Sequence, residues 1–149
     1  MMGRVLLLIG FAAYVASYFL PAARETAAAA SNPGFEGYWC AYVTLISPWG
    51  HSGMEMLRDN AIAYFGILFS GWINPLFLIT MVMSLVKPAA RVTAILRVIV
   101  IVMFAAVWVV FYQLHLRPRP GYFLWTAAML VVLFSSMVSR RERTFSTAA

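Results

Sequence analysis

Acid is what this chain has least of. Its five acidic residues are Glu25, Glu36, Glu55, Asp59 and Glu142. None falls in the four long apolar runs, Val5–Leu20, Ala61–Val86, Val98–Gln113 and Tyr122–Ser139, and those runs hold no histidine or lysine either. A proton- or cation-driven carrier needs a titratable or charged relay at membrane depth. The small exporters that rely on a glutamate in their first helix are therefore a poor match. Cysteine is scarcer still. Cys40 stands alone, and one thiol cannot close an internal disulfide, form a redox pair or build a thiolate metal cage. It reads as a small packing residue or a bridge to another chain. The two histidines, His51 and His115, fall in predicted loops. His51 and Glu55 are four residues apart, but two candidate ligands do not make a zinc or haem site. No metal and no cofactor is expected. Acid–base chemistry would have to come from Glu36, His51, Glu55 and Asp59, which share one loop and match no motif. A non-catalytic protein is expected.

What the chain does have is apolar surface. It is 63% hydrophobic with a mean hydropathy of +0.83, against about half apolar residues in a soluble domain. About 20 apolar residues cross a bilayer core of about 30 Å. The runs predict an all-α fold, an integral membrane four-transmembrane-helix bundle forming a single membrane domain over 1–149. The spans are placed at 5–21, 61–86, 94–114 and 121–139, with an outer loop over 22–60 and a polar tail over 140–149. The N-terminal run has signal-peptide features, Arg4 before an apolar stretch and small residues around Pro21-Ala22-Ala23. It is read here as the first transmembrane helix.

The net charge of +6 could suggest nucleic acid, but its distribution argues otherwise. Arg4, Lys87, Arg91, Arg97, Arg140, Arg141 and Arg143 flank one side of the predicted membrane, where Glu142 is the sole acid. The other side mixes Arg24, Arg58, Arg117 and Arg119 with the remaining four acids. This is the positive-inside pattern and places both termini in the cytoplasm. The expected partners are membrane lipids and other membrane protein subunits, not nucleic acid. The Arg140–Arg143 cluster offers a contact for anionic headgroups. Arg97 lies about 9 Å beyond Arg91 along a helix, within reach of the interface by snorkelling.

The outer loop is patterned. Ala22–Ser31 is open between helix and loose chain, and Asn32-Pro33-Gly34 is a turn signal. Phe35, Tyr38, Trp39, Tyr42, Val43 and Ile46 recur at helical spacing, which predicts a short interfacial helix over 35–46. Ser47-Pro48-Trp49-Gly50 ends it. Ser52 and Glu55 have capping-box spacing, so helix two is expected to begin near Gly53, with Glu55 and Arg58 close enough to pair.

Two features stand out as candidate sites. Asn74-Pro75 sits near the middle of helix two, where proline removes a backbone donor and an amide needs a partner. It reads either as a binding site or hinge, or as an interhelical hydrogen bond that sets packing. Ser70 and Gly71 beside it supply small surfaces for close helix approach. The second feature is aromatic. Every tyrosine and tryptophan lies outside the cytoplasmic third of the predicted helices, whereas membrane proteins normally carry belts at both interfaces. This reads either as a one-sided belt or as a contact surface for a partner protein, lipid or hydrophobic cofactor. Trp39, Tyr42, Trp49, Trp108, Tyr112 and Trp125 are the contact candidates.

Ser17-Tyr18-Phe19-Leu20-Pro21, then a Gly-aromatic loop, then Trp72-Ile73-Asn74-Pro75-Leu76 and Gly121-Tyr122-Phe123-Leu124-Trp125 follow in order along most of the chain. In this the chain resembles small uncharacterised bacterial four-helix inner-membrane proteins. The resemblance implies a four-helix fold in the inner membrane and carries no activity. The long first loop with Gly37-Tyr38-Trp39-Cys40 is similar in layout to claudin-type proteins, whose first loop uses two cysteines where this chain has one. The expectation is an accessory or structural subunit of a larger membrane assembly, with a small homo-oligomeric pore or transporter as the alternative.

Overall fold

A computed structural model describes residues 2–25, 34–86 and 91–146, with side chains from 5 to 135 among them. Asn32-Pro33, Lys87-Pro88, most of the alanine-rich stretch and the side chains of Arg140–Arg143 lie outside the described residues. The chain is mostly helical. In order it forms α1 (Met2–Ser17), β1 (Pro21–Glu25), β2 (Phe35–Glu36), α2 (Gly37–Ile46), a single 3₁₀ turn (Ser47–Trp49), α3 (His51–Asp59), α4 (Ala61–Val86), α5 (Arg91–Gln113), β3 (Leu116–Pro118) and α6 (Pro120–Ser146). Among the described residues, two of these, α4 and α5, are long and apolar enough to cross a membrane, while Val5–Ser17 and Pro120–Ser135 are shorter apolar helical stretches.

The long helices pack as two antiparallel pairs. α1 lies along α6, where Gly10 faces Ala128 and Val132. α4 lies along α5, with Gly66 against Val110 at one end and an Arg97-to-Ser84 hydrogen bond of 2.9 Å at the other. The pairs meet around Ile73, Phe77, Val100, Met129 and Val132, each essentially inaccessible to solvent. Thr80 is fully buried there, and its hydroxyl donates to the Leu76 carbonyl at 2.7 Å. The polar group is thus satisfied within its own helix, which removes most of the cost of burying it.

Four expectations need correction. The outer segments are not loop and helix alone. β1 pairs antiparallel with both β2 and β3 to make a small sheet of order β2-β1-β3, in which Ala23 faces Pro118, Arg24 faces Arg117 and Glu25 faces Leu116. Prolines 21, 118 and 120 explain this, since proline fixes φ and the residue before it is pushed to extended backbone. The capping box does not form. Gly50 caps α3 without a side-chain bond, and Glu55 pairs with His51 Nε2 at 3.2 Å instead. Helix two does not run on from Gly53 either. The chain breaks at Asn60 (φ −149°, ψ 80°), whose side-chain oxygen accepts from the Ala63 amide at 3.1 Å and caps α4. Finally, α6 continues to Ser146 where a polar tail was expected from 140, because Arg140–Arg143 are good helix formers and no Gly or Pro interrupts them.

The interfacial helix forms as α2, and its packing is the reverse of a buried aromatic face. Phe35, Tyr38, Trp39, Tyr42 and Ile46 are all exposed. The face turned inward carries Gly37, Cys40, Ala41 and Thr44. A Cβ on Gly71 of α4 would lie 2.5 Å from the Thr44 carbonyl oxygen and 2.8 Å from Leu45 Cα. Only glycine permits α2 to lie this close to α4.

Candidate functional site

Helix lengths create the site. Tyr14 lies in the last turn of α1 and Trp125 in the second turn of α6. Asn74, which both side chains reach, lies about 20 Å from the start of α4 at 1.5 Å per residue. α4 and α5 therefore overhang the ends of α1 and α6. The ledge is roofed by α2 and the sheet, and a cavity of about 320 Å³ remains beneath. Ser17, Tyr18, Asn74 and Trp125 contribute from its base, Ile67, Ser70, Val107 and Val110 from α4 and α5, and Cys40, Thr44 and Ala23 from the roof.

Asn74 ties the base together. Tyr14 Oη and Trp125 Nε1 both donate to Asn74 Oδ1, each at 3.1 Å. An indole N–H can only donate, so the amide oxygen must face it and the orientation of Asn74 is settled. Tyr14 spends its proton on Asn74, so in the Tyr14–Tyr18 hydroxyl contact of 2.7 Å Tyr18 is the donor. The chain of bonds runs Tyr18 to Tyr14 to Asn74, met from the other side by Trp125. It joins α1, α4 and α6. Asn74 thus makes interhelical hydrogen bonds to two helices, and both use Oδ1, so its NH₂ is the group left to offer the cavity it lines.

Three other lining hydroxyls are committed locally, while that of Tyr122 is buried without a partner. Ser17 donates to the Tyr14 carbonyl at 2.6 Å, Ser70 to the Gly66 carbonyl at 2.8 Å, and Thr44 to the Cys40 carbonyl at 2.8 Å. Among the described residues, no Asp, Glu, His, Lys or Arg lines the cavity. Phe35, Trp39, Phe111, Tyr122 and Trp125 give it aromatic walls, and Phe111 and Tyr122 meet edge to face at 4.5 Å. Water needs two to four polar partners to occupy a cavity, and apolar cavities stay dry. Sealed and empty, this one would cost about 8 kcal/mol at about 24 cal/mol per Å³, comparable to the about 5–15 kcal/mol that holds a domain folded. It is open on one side and so can be filled by an apolar molecule.

Of the contact candidates, Trp39, Tyr42, Trp49, Trp108 and Tyr112 are exposed, with Tyr112 the most open at 80%. Trp39 has one side to the cavity and stacks obliquely on Tyr42 at 5.7 Å. Trp108 meets Tyr122 edge to face. Trp125 is the exception, packed inward and bonded to Asn74. Pro75 stands inside a continuous α4, Ser70 lines the cavity, and Gly71 receives α2. Sequence reasoning missed the partners of Asn74. Tyr14 and Trp125 are far from it in the chain, and no local pattern ties them to it.

Cys40 is half-buried on the roof, where desolvation pushes its thiol up to about 11. This makes it a weak nucleophile near neutral pH. On the exposed side of α2, Glu36 beside Tyr38 raises that phenol above its ordinary value. His51 and Glu55 pair in the open, and His115 sits at φ +49° in the turn leading to β3, a left-handed position that histidine occupies more readily than most residues. Compared with known proteins, the chain matches no family model, no curated protein and no solved structure.

Proposed function

We propose that the chain is a four-pass membrane protein of the bacterial inner membrane, with α1, α4, α5 and α6 as spans and both termini in the cytoplasm. It serves as a non-catalytic accessory subunit that contacts partner subunits and lipid through its aromatic outer half. Membrane residence is supported by how little of α4 and α5 is covered: 33% and 28% of their apolar windows are buried, whereas a core helix of a water-soluble protein is hidden on nearly all sides. The positive-inside asymmetry of the basic residues supports the orientation.

The observation that carries the subunit reading is the outward face of α2. Tyr38, Trp39, Tyr42 and Ile46 are each about half exposed and Trp49 more so. A contiguous aromatic patch of this kind marks an interaction surface, and Trp and Tyr dominate interface energetics. Mild solubilisation and native electrophoresis test it. The chain is expected to migrate with partners. Replacing Trp39, Tyr42 and Trp49 together by alanine is expected to release it, while the helical circular dichroism stays unchanged. A chain that migrates alone before any substitution refutes the reading.

A further inference from the structure

We infer that the cavity is a binding site for a neutral apolar molecule bearing a carbonyl oxygen, which accepts a hydrogen bond from the Asn74 NH₂. The inference rests on the membrane reading above and deepens it by naming what the outer half holds. Three observations converge. The volume of about 320 Å³ falls within the about 300–1,000 Å³ of small-molecule sites. Among the described residues no charged side chain lines the cavity, which disfavours phosphate, carboxylate and ammonium head groups, because a buried charge needs a partner. The hydroxyls of Ser17, Ser70 and Thr44 give their protons to backbone carbonyls of their own helices. The indole N–H of Trp125 is taken by Asn74.

The Tyr122 hydroxyl is also without a partner, but it is fully buried. Among the described lining residues the Asn74 NH₂ is the donor whose position is fixed, because Trp125 and Tyr14 grip the oxygen of the same amide. A donor set in an otherwise apolar, aromatic-walled site selects an acceptor on an apolar body. Carbonyl oxygens of this kind occur on quinone rings and on the ester groups of lipids. The same amide geometry suits both.

The test uses matched pairs of probes on the full chain, purified in a detergent that has no carbonyl group. One pair is a decyl-substituted benzoquinone and the decyl-p-xylene in which methyls replace the carbonyls. The other is a fatty methyl ester and the alkyl ether of equal length. Retained ligand is measured by native mass spectrometry across a titration. At least one carbonyl probe is expected to bind about three- to tenfold more tightly than its carbonyl-free twin, the range for one neutral hydrogen bond. Preference within the first pair assigns a quinone-type ring, and preference within the second assigns a lipid ester. Asn74→Leu is expected to abolish the preference while leaving the carbonyl-free probe bound. The wild-type comparison stands even where that variant folds poorly. Equal binding within both pairs overturns the inference, as does the absence of saturable binding by any probe. Neither outcome affects whether the chain migrates with partner subunits, so the two readings fail separately.

Discussion

Removing the Asn74 acceptor should loosen three helices at once. Asn74→Leu keeps the side-chain bulk and deletes the oxygen that takes hydrogen bonds from Tyr14 and Trp125, each at 3.1 Å. Interhelical hydrogen bonds in membrane proteins average about 0.6 kcal/mol and reach about 1.7, so two bonds set a loss of about 1–3 kcal/mol. The two donors do not suffer equally. The Tyr14 hydroxyl can rotate and give its proton to Tyr18, 2.7 Å away. The Trp125 N–H has no such option and is orphaned, which costs about 1–3 kcal/mol for a fully buried donor. Most of the loss should therefore trace to Trp125.

A double-mutant cycle isolates that share. Asn74→Leu, Trp125→Phe and the double variant are unfolded reversibly by titrating a denaturing detergent into mixed micelles, with helical circular dichroism as the signal. Trp125→Phe removes the donor and leaves Oδ1 with Tyr14, so it is expected to cost less than Asn74→Leu. The coupling energy between the two is expected at about 0.6–1.7 kcal/mol. Additive effects within about 0.3 kcal/mol would refute the claim that this bond ties α6 to α4.

Two further predictions use the single cysteine as a reporter. Gly71→Ala places a Cβ 2.5 Å from the Thr44 carbonyl oxygen, and backbone atoms on both sides leave neither helix room to give. α2 should lift from α4 and Cys40 should react faster with a maleimide; an unchanged rate would mean that α2 is not seated at Gly71. In the unaltered chain a thiol pushed up to about 11 by burial holds roughly hundredfold less thiolate at pH 8 than one at its ordinary value of 9.0. A raised value means less thiolate at any given pH, so labelling should keep rising about tenfold per pH unit up to about pH 10–11; a plateau near pH 9 would show that Cys40 is not desolvated.

How much of this was legible beforehand depended on how local the cause was. The extents of α4 and α5 followed from runs of apolar residues, and the amphipathic spacing of Phe35–Ile46 announced α2. Which side of α2 would be covered was not legible. Glycine, cysteine, alanine and threonine turned inward because Gly71 and Gly37 allow backbones to approach closely, and the aromatics were left outside. The Ser52–Glu55 spacing suggested a cap, but α3 begins one residue earlier at His51 and leaves Ser52 inside the helix, while the working cap, Asn60, carried no distinguishing motif. The strands were hidden because β1 and β3 draw their hydrogen bonds from segments distant in the chain, and no two- or three-residue strand has a period to detect.

By itself the sequence determined where apolar helices form, which ends are basic and which aromatic, and that no acidic or basic side chain sits in the apolar runs. These are properties of single segments, decided by composition and by the 3.6-residue repeat. Only the tertiary structure decided that Asn74 would be held by Tyr14 and Trp125, and that a cavity would open beside it. Those outcomes depend on how far each helix extends past its neighbour and on which residues the packing brings level, quantities that arise between segments and are written in none of them.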